Sequence, residues 1–103
     1  MQDAFSRMEL LVGNTGVKKL SRAKIAVFGL GGAGSCAVDA LARCCVGSLT
    51  LVDHEKITRP DISSQILAVH STVGMSKVEA AKKRIHDIDE GILVHTYETF
   101  YKE

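Results

Sequence analysis

The stretch Val27-Phe28-Gly29-Leu30-Gly31-Gly32-Ala33-Gly34-Ser35 (VFGLGGAGS) sets the fold of the chain around it. Lys24 to Phe28 enters it as a brief apolar run of strand formers bounded by glycine, the pattern of a strand buried on both faces. Ser35 to Cys45 leaves it as an almost continuous run of small and apolar residues. That run predicts a buried helix, with Asp39 and Arg43 four apart and pairing on its one exposed stripe. Ser48 to Asp53 (SLTLVD) follows as a second strand, so the order is strand, glycine turn, helix, strand. In such a unit Gly29 permits the tight turn, Gly31 lets the backbone approach a phosphate, and Gly34 lets helix and strand pack closely. The free N–H groups and positive dipole end of the helix then bind an anion without a charged side chain. Asp53, 19 residues after Gly34, stands where an acid accepts hydrogen bonds from ribose hydroxyls. Glycine turn and acid together predict a nucleotide. NAD-dependent oxidoreductases share this fingerprint, so at this point a dinucleotide remains open.

Further along, Pro60 opens or precedes a turn of helix through Ala68, and Gly74 closes that segment. Ser76-Lys77-Val78-Glu79 reads as a capping box, with the serine oxygen on a first-turn amide and the glutamate reaching back to the cap. Val78, Ala81, Ile85 and Ile88 then fall on one helical face, with Lys82, Lys83, Arg84 and Asp87 pointing away. Gly91 ends the helix and Ile92 to Tyr97 alternates as a third strand. Lys77, a cation in a first helical turn, opposes the macrodipole by about 0.3–1 kcal/mol unless an anion lies nearby. It is a candidate phosphate ligand, or a solvated lysine offset by Glu79. Upstream, Phe5, Met8 and Val12 lie at helical spacing before Gly13, predicting a short amphipathic arm that stops there.

Composition narrows the classes. A chain of 103 residues with 46% hydrophobic residues, 24% charged residues and net charge +1 is one ordinary globular domain, without the basicity that binding a polyanion through global charge requires. The run KKRIH, Lys82 to His86, reads first as a solvated face and second as an RNA contact. No stretch reads as a membrane span or signal peptide, which predicts a cytoplasmic protein. Cys36, Cys44 and Cys45 lack metal-ligand spacing and read as reduced packing residues, and His54, His70, His86 and His95 show no ligand pattern.

Nearly forty residues separate Asp53 from the third strand, more than a simple crossover of about a dozen requires. RMELLVG, KLSRAKIAVFGLGGAGS, SLTLVD and SQILAVHSTVGMSKVEAAKKRI together resemble the ThiF/MoeB/HesA superfamily of ubiquitin-activating-type adenylating enzymes. Within it the chain is most similar to the tRNA threonylcarbamoyladenosine dehydratases, through RxELLxG in the arm and QIxAxxxTVGxxK in the insert. The resemblance implies an α/β fold: a Rossmann-like parallel sheet with flanking helices, truncated to about three strands, behind an N-terminal helical arm. The arm would cover residues 1–22 and the N-terminal part of an ATP-binding domain residues 23–103. It further implies ATP and Mg2+ as cofactors, activation of a carboxylate as an acyl adenylate, and cyclising dehydration of a modified adenosine in tRNA. Implied partners are tRNA, sulfur-transfer proteins and a second subunit.

By position, Gly29, Gly31, Gly32 and Gly34 would line the phosphates, Asp53 the ribose, and Gln65 and Lys77 the nucleotide and its phosphates, while Arg7 would reach a neighbouring subunit's ATP. Two departures stand against full activity. Asp61-Ile62-Ser63-Ser64-Gln65 replaces the family's Asn-x-Asn-Arg-Gln, so a phosphate-holding arginine is a serine, a loss worth about 1.5–3 kcal/mol. Asp61 adds repulsion unless magnesium bridges it to phosphate, and Arg59 is a candidate substitute. The family's next strand, with its magnesium-associated aspartate, is missing before Glu103, so no catalytic residue is expected within the chain. A non-catalytic nucleotide-binding or assembly module is the competing reading. The chain is expected to self-associate through the first strand, left as an edge, or through the arm.

Overall fold

A computed structural model describes residues 5–101. Residues 1–4 and 102–103, which belong to the expected arm and domain, lie outside the described residues. Three parallel strands, β1 (Lys24–Phe28), β2 (Ser48–Asp53) and β3 (Leu93–Glu98), form one sheet in the order β1-β2-β3. α1 (Ser6–Ser21) precedes it, α2 (Gly32–Ala42) connects β1 to β2, and α3 (Lys77–Ile88) leads into β3. No described helix is long and apolar enough to cross a membrane.

The register places Ile25, Leu49 and Val94 on one face, with Val27, Leu51 and Thr96 beside them. α2 and α3 pack there, and Val38, Ala42, Val78, Ala81 and Ile85 close the core over Leu49 and Leu51. The opposite face carries Phe28, Leu93 and Tyr97, all more than half exposed. β1 therefore alternates, with Lys24, Ala26 and Phe28 exposed, and is not buried on both faces as its apolar run suggested. Helices cover only one side of the sheet, so only one side of an edge strand can be buried. α2 likewise buries one stripe, Ser35, Val38 and Ala42, and leaves Cys36 exposed, so the packing role read for the cysteines holds for buried Cys45 and not for Cys36.

Other boundaries moved for local reasons. The first helical stretch of α1 breaks at Gly13 as expected, at non-helical φ +75°, ψ 169°, but a second helical stretch follows the kink through Ser21, whose neighbour Leu20 accepts from the amides of Ala23 and Gly47. The Pro60 segment forms a 3-10 turn only over Arg59–Ser63, and a second short turn covers His70–Thr72. The Ser76 oxygen accepts from the Glu79 amide at 3.2 Å, as a helix cap requires. Glu79, however, accepts from the Thr96 hydroxyl at 3.3 Å and so ties α3 to β3 instead of completing the box.

The expected Asp39–Arg43 pair forms at 3.1 Å, and Arg84 of α3 joins it from the other side. Partial burial would raise the Asp39 pKa, but the Arg84 and Arg43 hydrogen bonds and charges outweigh that and hold the carboxyl below its usual range. The triad ties α2 to α3.

Candidate functional site

The glycine turn crosses the C-terminal end of the sheet, where parallel α/β folds bind ligands. Gly29 has φ +88°, a conformation other residues adopt only with strain, and its amide donates to Val52 O at 2.8 Å. The backbone thus reverses without leaving β2. Leu30 buries its side chain in the core and turns its amide to Asp53 Oδ2 at 2.7 Å. Gly31 caps α2 with no side-chain hydrogen bond, and the first turn holds no acidic residue. The first intrahelical bond of this end runs from Ser35 N to Gly31 O at 2.9 Å, so the amides of Gly32, Ala33 and Gly34 precede it and have no helical acceptor.

Sterics explain two of the glycines. A Cβ at Gly34 would lie 1.8 Å from Gly29 O, so the start of α2 rests directly on the turn. A Cβ at Gly31 would meet nothing within 4 Å, which leaves that side of the turn open to a ligand. At Gly32 the Cβ position is 3.4 Å from Ser64 O, so the segment carrying Gln65 borders the same turn.

Asp53 is buried and accepts twice, from Leu30 N through Oδ2 and from Glu55 N through Oδ1, the latter also at 2.7 Å. Each carboxylate oxygen has a second lone pair for a further donor. Glu55 continues the network: its carbonyl accepts from Lys77 N at 3.0 Å and its Oε1 from Lys77 Nζ at 3.4 Å. Lys77 is 3% exposed, which excludes the solvated lysine that its sequence position allowed. A buried ammonium with one long bond to an exposed carboxylate is a charge kept at a cost in desolvation.

Gln65 Nε2 donates to Asp61 Oδ1 at 3.2 Å, while Asp61 Oδ2 accepts from Thr58 N at 2.9 Å and caps the 3-10 turn. The Thr58 amide, with the Lys77 charge nearby, holds the Asp61 carboxyl below its ordinary pKa against some desolvation. Each Asp61 oxygen thus accepts one hydrogen bond and keeps a second lone pair. Among the described residues no group of three His, Cys, Asp or Glu side chains could hold a metal.

The structure therefore brings together Gly29, Gly31, Gly32, Gly34, Asp53, Gln65 and Lys77 around the ends of β1 and β2. Arg7 is exposed on α1, and no hydrogen bond or ion pair joins it to that group. Ser64 and Arg59 are both exposed. Sequence reasoning missed Glu55, although the Asp53-x-Glu55 spacing was visible beside the strand end. It also missed the aromatic residues after β3. Phe100 stacks on His54 with centroids 3.9 Å apart, and Tyr101 meets Phe28 edge-on at 5.2 Å. The Thr99 amide holds this segment to Asp53 O at 3.1 Å, so both rings flank the site.

Residues 5–103 match the ThiF family. Over all 103 residues the chain is 42% identical to a tRNA threonylcarbamoyladenosine dehydratase of Bacillus subtilis (strain 168), of which it spans 41%. Over 97 residues, 92% of this chain and 22% of the relative, it is 33% identical to an adenylyltransferase and sulfurtransferase of Culex quinquefasciatus. The crystal structure of the Escherichia coli tRNA N6-threonylcarbamoyladenosine dehydratase in complex with ATP superposes with a TM-score of 0.94 at 32% identity. That match covers 96% of this chain and 41% of the other.

Proposed function

The chain belongs to the ThiF family, and from that premise we propose that it forms the ATP-binding portion of an adenylating enzyme of the tRNA threonylcarbamoyladenosine dehydratase kind. The observation that carries this reading is the uncapped start of α2 on the glycine turn, flanked by buried Asp53 and buried Lys77. A relative of like fold is described in complex with ATP, which supports the choice of nucleotide. The amides of Gly32, Ala33 and Gly34 take phosphate oxygens, Lys77 supplies the positive charge, Asp53 accepts from the ribose, and Gln65 borders the nucleotide. The base lies against the rings of His54 and Phe100.

In acyl adenylation a carboxylate oxygen attacks the α-phosphorus and pyrophosphate leaves. This chain's groups hold the phosphates while charge moves onto the leaving group. When bound, magnesium would offset phosphate charge as pyrophosphate leaves. Asp61, with one hydrogen bond on each oxygen and a lone pair left on each, would be this chain's candidate to approach the metal.

In this reading residues 1–22 are an arm and 23–103 the nucleotide-binding unit. Arg7 reaches the ATP of a second subunit, tRNA is the substrate, sulfur-transfer proteins are partners, and the site of action is the cytoplasm. The relatives' names support the tRNA and sulfur-transfer assignments. The experiment is calorimetric titration with ATP and with NAD: ATP binds and NAD does not, and the reverse result refutes the reading. Ser64 and Asp61, where the family's pattern has arginine and asparagine, favour a second reading, a nucleotide-binding module without adenylation. Carboxylate-dependent pyrophosphate exchange separates the two.

A further inference from the structure

A groove of about 440 Å³ lies away from the glycine turn, between the 66–72 segment and α3. One wall is aliphatic, made by Ile66, Leu67 and Val69, with Ile66 41% and Val69 45% exposed. Thr72 stiffens it: its hydroxyl accepts from Val69 N at 2.9 Å and donates to Leu67 O at 2.7 Å. The facing wall is cationic, carrying Lys83 and Arg84. Arg84 spends its Nε on Asp39, which pins the side chain and leaves its terminal guanidinium donors for another acceptor. Lys83 is exposed, and among the described residues no carboxylate pairs with it. His86 also lines the groove, with Nε2 on Ile92 O at 3.1 Å. Asp87, on the rim, is the one carboxylate of the lining.

We infer that this groove docks an acidic, aliphatic-rich peptide segment of a partner protein, with its apolar side chains on Ile66 and Val69 and its carboxylates on Lys83 and Arg84. Charge complementarity selects the acidic partner. Ile62, 47% exposed in the 3-10 turn that precedes this segment, adds apolar surface upstream of Ile66 in the chain, which suits an extended segment better than a compact small molecule. None of these residues belongs to the nucleotide site, so the inference stands apart from ATP binding.

The test uses two fluorescein-labelled extended peptides with valines at identical alternate positions, one with glutamate and one with lysine between them. Binding is read by anisotropy and located by backbone amide shifts. The glutamate peptide saturates, and the shifts fall on Ile66, Val69, Lys83 and Arg84. Lys83→Glu weakens it about fivefold, Asp87→Asn tightens it, and added salt weakens it. Equal binding of the lysine peptide, shifts confined to the exposed sheet face, or no saturation by either peptide overturns the inference.

Discussion

Three glycine-to-alanine substitutions separate the steric, structural and ligand roles of the turn. At Gly34 the new Cβ lies 1.8 Å from Gly29 O and 2.9 Å from Gly29 C, whereas real Cβ atoms essentially never approach closer than 3.0 Å. The turn and the first turn of α2 must therefore separate by about 1.2 Å. Both partners are backbone and cannot rotate away, so the cost is that of overpacking a rigid contact, about 1–3 kcal/mol. At Gly47 the Cβ would lie 2.0 Å from Ser21 O, an equal collision far from the turn. At Gly31 it meets nothing. Urea unfolding and ATP calorimetry on each variant read the two effects separately. Gly34→Ala loses both stability and ATP affinity, Gly47→Ala loses stability alone, and Gly31→Ala keeps stability while losing at least tenfold in affinity, because its methyl occupies phosphate space. Normal ATP affinity in Gly31→Ala would refute the claim that a phosphate approaches the backbone there.

Other expectations follow from single groups. Lys77→Met keeps or raises stability in urea, since it removes a buried charge, while ATP affinity falls at least tenfold by calorimetry. Asp53→Asn sets an amide donor against Leu30 N or Glu55 N and costs about 2 kcal/mol in the same unfolding assay. Asp39 has its pKa lowered in the folded state, so its contribution is complete above the unfolded value near 4 and is lost as pH falls through the lower folded value. Stability measured by urea below about pH 4 declines more steeply in the wild type than in Asp39→Asn. Phe100→Ala weakens ATP and leaves inorganic tripolyphosphate unaffected, if the ring contacts the base.

Much of this was legible in the residues because it is local. The run from Val27 to Ser35 dictates strand, turn and helix through φ at Gly29 and contact at Gly34, and both were readable from glycine spacing. Ser76 capped α3 as its position required. What escaped depends on neighbours. The apolar run of β1 could not reveal that helices cover only one face, nor could Ser35–Cys45 show that one side of α2 meets nothing. Lys77 looked solvated or ligand-bound with equal reason, and only the return of the chain beside Glu55 buries it. Phe100 reaches His54 across 46 positions, a contact that no sequence period encodes.

The central claim is that the amides opening α2 hold the phosphates of ATP. Backbone amide NMR during an ATP titration tests it most directly: the resonances of Gly31, Gly32, Ala33 and Gly34 move together and saturate. If they stay fixed while resonances elsewhere shift with ATP, the account is wrong.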